Sequence, residues 1–238
     1  MAEKPILVAG KSGQLARCLR DLAVLRNVPM VAVGRPVSTD YVFDGAKPSP
    51  YREDDATAPL NIYGSSKLAG EAAVLGVNPR AAVIRTAWVY SPYGTNFVRT
   101  MLRLSKTQPM VRVVYDQHGT PTSAADLARA ILAIVNQLRL ASGRENAGIY
   151  HLGGQGETSW YEFAAAIFAS LSRRGQRVAK LQAIITDDYP TAARRPKNSC
   201  LDSSKAERVF GVRLPPWRSS LEECLDQLEE VPKELHAC

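Results

Sequence analysis

An α/β fold is predicted, a Rossmann-like doubly wound parallel sheet with a smaller C-terminal substrate-binding lobe, and three observations predict it. A short apolar run at residues 5–9 leads into a glycine turn and then a helical pattern. Branched, strand-like runs alternate with helical ones along the rest of the chain. No internal repeat or low-complexity tract interrupts them. At 238 residues the chain is long enough for one large domain or a domain with a smaller lobe.

Composition narrows the function classes. No apolar run reaches the length of a membrane span and residues 1–5 carry no signal-peptide pattern, so a cytoplasmic protein without a membrane partner is expected. Cys18, Cys200, Cys224 and Cys238 are scattered and read as reduced thiols. His118, His151 and His236 are isolated, and none is given a catalytic role. The formal charge of +7 comes from Lys and Arg spread along the chain, with one cluster at Arg194, Arg195 and Lys197. Such a distribution suits small anionic ligands better than nucleic acid.

The first unit is strand, turn, helix. Gly10, Ser12, Gly13, Gln14 and Leu15 form the turn and helix start where a dinucleotide's pyrophosphate would lie against backbone N–H groups. A second strand at 29–33 ends beside Arg35, placed to lie against an adenine or meet a 2′-phosphate, which favours NADP over NAD. Next, Ser38-Thr39-Asp40-Tyr41 closes a strand at its carboxyl end, where open α/β sheets gather ligand-binding groups. A proline-rich, acidic loop follows, then a helix over 63–73. Strands at 81–84, 111–115 and 148–152 alternate with helices over 96–105, 124–140 and 159–172, the last opened by a serine cap.

Tyr63 and Lys67 stand four apart on the predicted helix and therefore share a face. A phenol is a weak acid at neutral pH, and a nearby ammonium favours its phenolate, which brings it into range as a proton donor to a ketone. Lys67 can also hold ribose hydroxyls, and the Thr39 hydroxyl can bond the same carbonyl oxygen. Tyr-x-x-x-Lys arises easily by chance. The conjunction carries the argument: glycine turn, then Ser-Thr-Asp, then Tyr-x-x-x-Lys after a proline-rich loop, the order required in a short-chain dehydrogenase.

Longer strings narrow this further. Residues 38–45 (STDYVFDG), 59–67 (PLNIYGSSK) and 85–90 (RTAWVY), together with 10–15 (GKSGQL), 116–122 (DQHGTPT) and 195–199 (RPKNS), closely resemble the dTDP-4-dehydrorhamnose reductase family of extended short-chain dehydrogenases. The resemblance implies reduction of a C4 keto group on a dTDP-bound sugar with NADPH or NADH. Tyr63 would be the proton donor, with Lys67 tuning it and Thr39 as third catalytic hydroxyl. Tyr63 and Lys67 would also touch the cofactor, alongside the turn residues and Arg35. Thr39, Asp40, Tyr41, Trp88 and Asn96 would bind the sugar nucleotide. Some members bind magnesium at an acidic dimer contact, but the corresponding position is Cys18 here, so no metal is expected and a homodimer stays open.

The chain departs from the family between Pro36 and Val37, where two strand-helix units, roughly sixty residues, have no counterpart. Three residues, Gly34, Arg35 and Pro36, cannot join neighbouring parallel strands, which need a crossover of about a dozen. An omitted segment predicts a separation of roughly 14 Å or more between the Cα atoms of Pro36 and Val37, and a true deletion predicts a normal peptide bond. The dinucleotide-binding part is assigned to 1–86 and 110–153, and the substrate lobe to 87–109 and 154–238. Two other readings stay open: a non-catalytic regulator resembling the methionine adenosyltransferase β subunit, and another nucleotide-sugar epimerase or dehydratase.

Overall fold

A computed structural model describes residues 6–9, 13–25, 30–33, 38–140, 146–191 and 193–230. In chain order these form β1 (Ile6–Ala9), α1 (Gln14–Leu25), β2 (Met30–Val33), β3 (Ser38–Thr39) and a 3-10 turn (Asp40–Val42). Then come α2 (Ile62–Val77), β4 (Ala82–Thr86), β5 (Val89–Tyr90), α3 (Phe97–Thr107), β6 (Met110–Val114), β7 (His118–Gly119), β8 (Thr122–Ser123) and α4 (Ala124–Leu140). The chain continues through β9 (Gly148–His151), β10 (Thr158–Ser159), α5 (Trp160–Arg173), β11 (Lys180–Ile184), β12 (Asn198–Ser199), α6 (Ser204–Phe210) and α7 (Trp217–Glu230).

The alternation of strand and helix produces parallel pairing, as predicted. β3, β4 and β9 form one parallel sheet, β1 pairs β2 in parallel, and β6 pairs β11 in parallel. Among the described residues β1 and β2 are hydrogen-bonded only to each other. Pro36 and Val37 lie outside the described residues, and so does the separation expected between them. β5, β7, β8, β10, β11, β12, α6 and α7 were not anticipated. Their segments are short or mostly polar on one face, and they are held by partners distant in sequence, such as β6 for β11.

Local signals explain several boundaries. Ser159 caps α5 in a complete capping box: its hydroxyl accepts from the Glu162 amide while the Glu162 carboxylate accepts from the Ser159 amide. Asn61 and Asn96 cap α2 and α3 without the reciprocal bond, each side-chain oxygen taking one orphan N–H. α1 buries Leu15, Cys18 and Leu19 against α4, in a core that also takes in Ile84, Tyr150 and Phe210. A second core joins α3, α5 and α7 around Phe163 and Trp217, and β6 contributes Val111 and Val113 to it. A third, smaller cluster of Val42, Phe43, Tyr51, Ala87 and Leu201 underlies the predicted site. Among the described residues no helix is long and apolar enough to cross a membrane.

Candidate functional site

α2 begins directly against the 3-10 turn that follows Thr39. Gly64 lies in its first turn, and a Cβ there would press into the Tyr41 carbonyl and stand 2.9 Å from Pro59 Cβ. Only glycine permits this approach, and it brings Tyr63 and Tyr41 together edge to face, with ring centroids 5.8 Å apart. Lys67 Nζ lies 5.9 Å from the Tyr63 ring centroid, as expected for positions four apart on one helix. Tyr63 is 50% exposed.

Thr39 and Asp40 are buried. The Thr39 hydroxyl donates to Asp40 Oδ1 at 3.0 Å and accepts from the Tyr41 amide at 3.3 Å, capping the 3-10 turn. Burial pushes the Asp40 carboxyl up to about 6, partly opposed by hydrogen bonds from Ser199 and Thr39. The Tyr41 phenol is also raised, first by burial and then by Asp40, with Arg195 acting against both.

Trp88 has φ 47°, an uncommon left-handed conformation for a bulky residue. Surrounding contacts fix it. Its ring stacks on Trp160 with centroids 3.5 Å apart, and its carbonyl accepts from the Thr122 amide at 3.1 Å. Gly119 lies under the indole, where a Cβ would come within 2.7 Å of Trp88 Nε1. Trp88 and Leu68 of α2 both pack on the cluster around Val42, which ties Trp88 to the Tyr63 helix.

Two strings that carry the family resemblance, 116–122 and 195–199, complete the site. β12 runs parallel to β7, pairing Asn198 with His118 and Ser199 with Gly119. Asn198 Nδ2 donates to the Lys47 and Ser49 carbonyls, and Asn61 Nδ2 donates to the Arg194 carbonyl. The basic cluster is thereby held beside Tyr41 and the start of α2.

At the N-terminus, Gly13 precedes α1 with open space around its Cα, and Leu15 is buried in the first core. Gln14 Oε1 accepts from Ser91 Oγ at 2.9 Å and Asn96 Nδ2 at 3.0 Å, joining α1 to the start of α3. The Asn96 side chain is thus engaged by Gln14, by the Ser91 and Tyr93 carbonyls and by the Arg99 amide. Gly10, Ser12 and Arg35 lie outside the described residues.

Sequence reasoning missed a buried polar layer beneath the site. Ser38, Arg85 and His151 stand side by side across β3, β4 and β9, and Glu71 of α2 reaches down to Arg85. Burial, then the Arg85 charge, pulls the His151 imidazole down to about 4. The available signal was Glu71 itself, four residues beyond Lys67 on the same stripe.

These shifts predict an acid response. His151 is depressed in the folded protein, so its stability contribution is present above its ordinary value of 6.5 and is lost as pH falls toward 4. Asp40 is raised, so its contribution is present below its ordinary 3.8 and is lost as pH rises through about 6. Each is worth about 3 kcal/mol at full displacement, so the two nearly cancel between pH 4 and 6. Asp40→Asn should therefore make urea midpoints fall more steeply from pH 6.5 to 4 than in the unmodified protein. Equal slopes would rule out this opposition.

Residues 36–230 match a family model described as the RmlD substrate binding domain. A dTDP-4-dehydrorhamnose reductase from Sinorhizobium fredii is 47% identical over 204 residues, covering 86% of this chain and 68% of that protein. A crystal structure of a dTDP-4-dehydrorhamnose reductase from Clostridium acetobutylicum superposes with a TM-score of 0.86 at 30% identity, over 95% of this chain and 100% of that one. The structure of the Bacillus anthracis dTDP-4-dehydrorhamnose reductase in complex with NADP gives 0.70 at 34% identity, over 90% of this chain and 70% of that one. The chain spans 63% to 68% of the length of the first curated relatives it matches. With a family model matched over most of the residues, and a dTDP-4-dehydrorhamnose reductase 47% identical to it, the chain belongs to the dTDP-4-dehydrorhamnose reductase family.

Proposed function

We propose that the chain reduces the C4 keto group of dTDP-4-dehydro-L-rhamnose to give dTDP-L-rhamnose in the cytoplasm, with NADPH or NADH as reductant. The observation that carries this reading is the half-exposed Tyr63, edge to face with Tyr41 and 5.9 Å from Lys67 Nζ, on the helix that packs against the strand and turn of Thr39. The described residues fit a nicotinamide cofactor: a Cβ at Gly13, just before α1, would meet nothing within 4 Å, and Tyr63 and Lys67 share a partly exposed helix face. When bound, that cofactor supplies the hydride that reaches C4. Tyr63 gives its proton to O4, Lys67 stabilises the resulting phenolate and holds ribose hydroxyls, and Thr39 turns its hydroxyl from Asp40 to the keto oxygen. Asp40, Tyr41, Trp88 and Asn96 line or support the sugar-nucleotide side. Gly10, Ser12, Gly13, Gln14, Leu15 and Arg35 serve the cofactor.

Purified protein mixed with dTDP-4-dehydrorhamnose should consume reduced cofactor absorbance, read separately with NADPH and NADH. The NADP complex of the Bacillus anthracis relative supports NADPH as the better of the two. One observation favours a second reading, a non-catalytic binding role: β1 and β2 are hydrogen-bonded only to each other among the described residues. Turnover with neither cofactor would support it.

Trp88→Ala should raise the Michaelis constant for the sugar nucleotide about tenfold while turnover changes little, because a pocket wall supplies contact area and no proton. Steady-state kinetics and a melting curve check this. An unfolded variant would make Trp88 a core residue supporting Trp160.

A further inference from the structure

α2 is an apolar helix that is scarcely buried. Ile62 and Val77 are each 88% exposed, and Gly64 and Glu71 are its only buried residues. Beyond Leu68, which packs on the cluster around Val42, and the close approach at Gly64, apolar packing does little to locate it along the sheet. Glu71 is its buried polar anchor. Arg85 Nε donates to Glu71 Oε1 at 2.9 Å and Oε2 at 3.2 Å, and Nη2 donates to Oε2 at 2.6 Å. Ser38 Oγ donates to the same carboxylate. Arg85 is backed by Phe43, whose ring centroid lies 5.1 Å from the guanidinium carbon. Both ion-pair partners are almost wholly buried.

A forked guanidinium–carboxylate pair fixes orientation as well as distance. A buried pair adds little net stability over well-packed apolar side chains, so stability is a poor account of its presence. Its position supplies a better one. Glu71 follows Tyr63 and Lys67 by eight and four residues on one stripe, and Ser38 immediately precedes Thr39.

We infer that Glu71, Arg85 and Ser38 form a clamp that sets the register of α2 on the sheet, making Glu71 and Arg85 positioning residues that hold Tyr63 and Lys67 over Thr39. The inference rests on the reductase reading above. The test is the apolar double variant Glu71→Met/Arg85→Met, which removes both charges together, beside Arg85→Lys, which keeps the charge and loses the fork. The double variant should melt within about 5 °C of the unmodified protein. Its turnover should nevertheless fall about tenfold or more, with the Michaelis constant for the sugar nucleotide changed less than about threefold. Arg85→Lys should show the same split in milder form, and it carries the test if the double variant fails to fold. Turnover within about twofold of the unmodified protein in a folded variant would overturn the clamp. If the unmodified protein turns over no substrate, the reductase reading fails separately. Amide exchange across residues 62–77 then decides the clamp, expected about tenfold faster in the folded variant and unchanged if the clamp is absent.

Discussion

Tyr63→Phe should lower turnover by about a hundredfold or more, close to 2.7 kcal/mol of transition-state stabilisation, with little change in cofactor affinity. Phenylalanine keeps the edge-to-face contact with Tyr41 and the helical backbone, and the side chain is half exposed, so deleting one hydroxyl leaves no cavity. Stability should stay within about 0.5 kcal/mol. Turnover at the unmodified rate would remove Tyr63 from the chemistry.

Gly64→Ala should cost about 3 kcal/mol of stability and reduce turnover more than about tenfold. On helix propensity alone the same change would stabilise by about 1 kcal/mol, so the sign of the effect decides between the two arguments. The methyl would enter the Tyr41 carbonyl and press on Pro59, and neither atom is the end of a flexible side chain. The first turn of α2 must then lift, which disturbs the Asn61 cap on the Gly64 amide and carries Tyr63 away from Thr39. Denaturant titration with steady-state kinetics measures both effects. A variant of raised stability and normal turnover would show that the close approach is unimportant.

The site was legible where it depends on local spacing. Tyr63 and Lys67 share a face because a helix repeats every 3.6 residues, and Thr39 closes a short strand directly before the 3-10 turn that starts at Asp40. The capping serine of α5 was readable for the same reason. The strings at 116–122 and 195–199 matched the family but gave no strand signal, because a two-residue strand has no periodicity of its own. Only the pairing of β7 with β12 turns them into the floor beneath Trp88 and the bracket beside Tyr41. His151, set aside as an isolated histidine, proves to be wholly buried with its ring edge to face against Phe43.

By itself the sequence determined the order of elements, the family and the helix face that carries Tyr63 and Lys67, since each is fixed by residues within a few turns of chain. Tertiary structure alone decided how that face meets Thr39. The Gly64–Tyr41 approach, the Glu71–Arg85–Ser38 pairing and the Trp88–Trp160 stack join residues between 14 and 72 positions apart. Contacts over such separations depend on sheet register and on desolvation of charged groups, neither of which leaves a periodic trace in the chain.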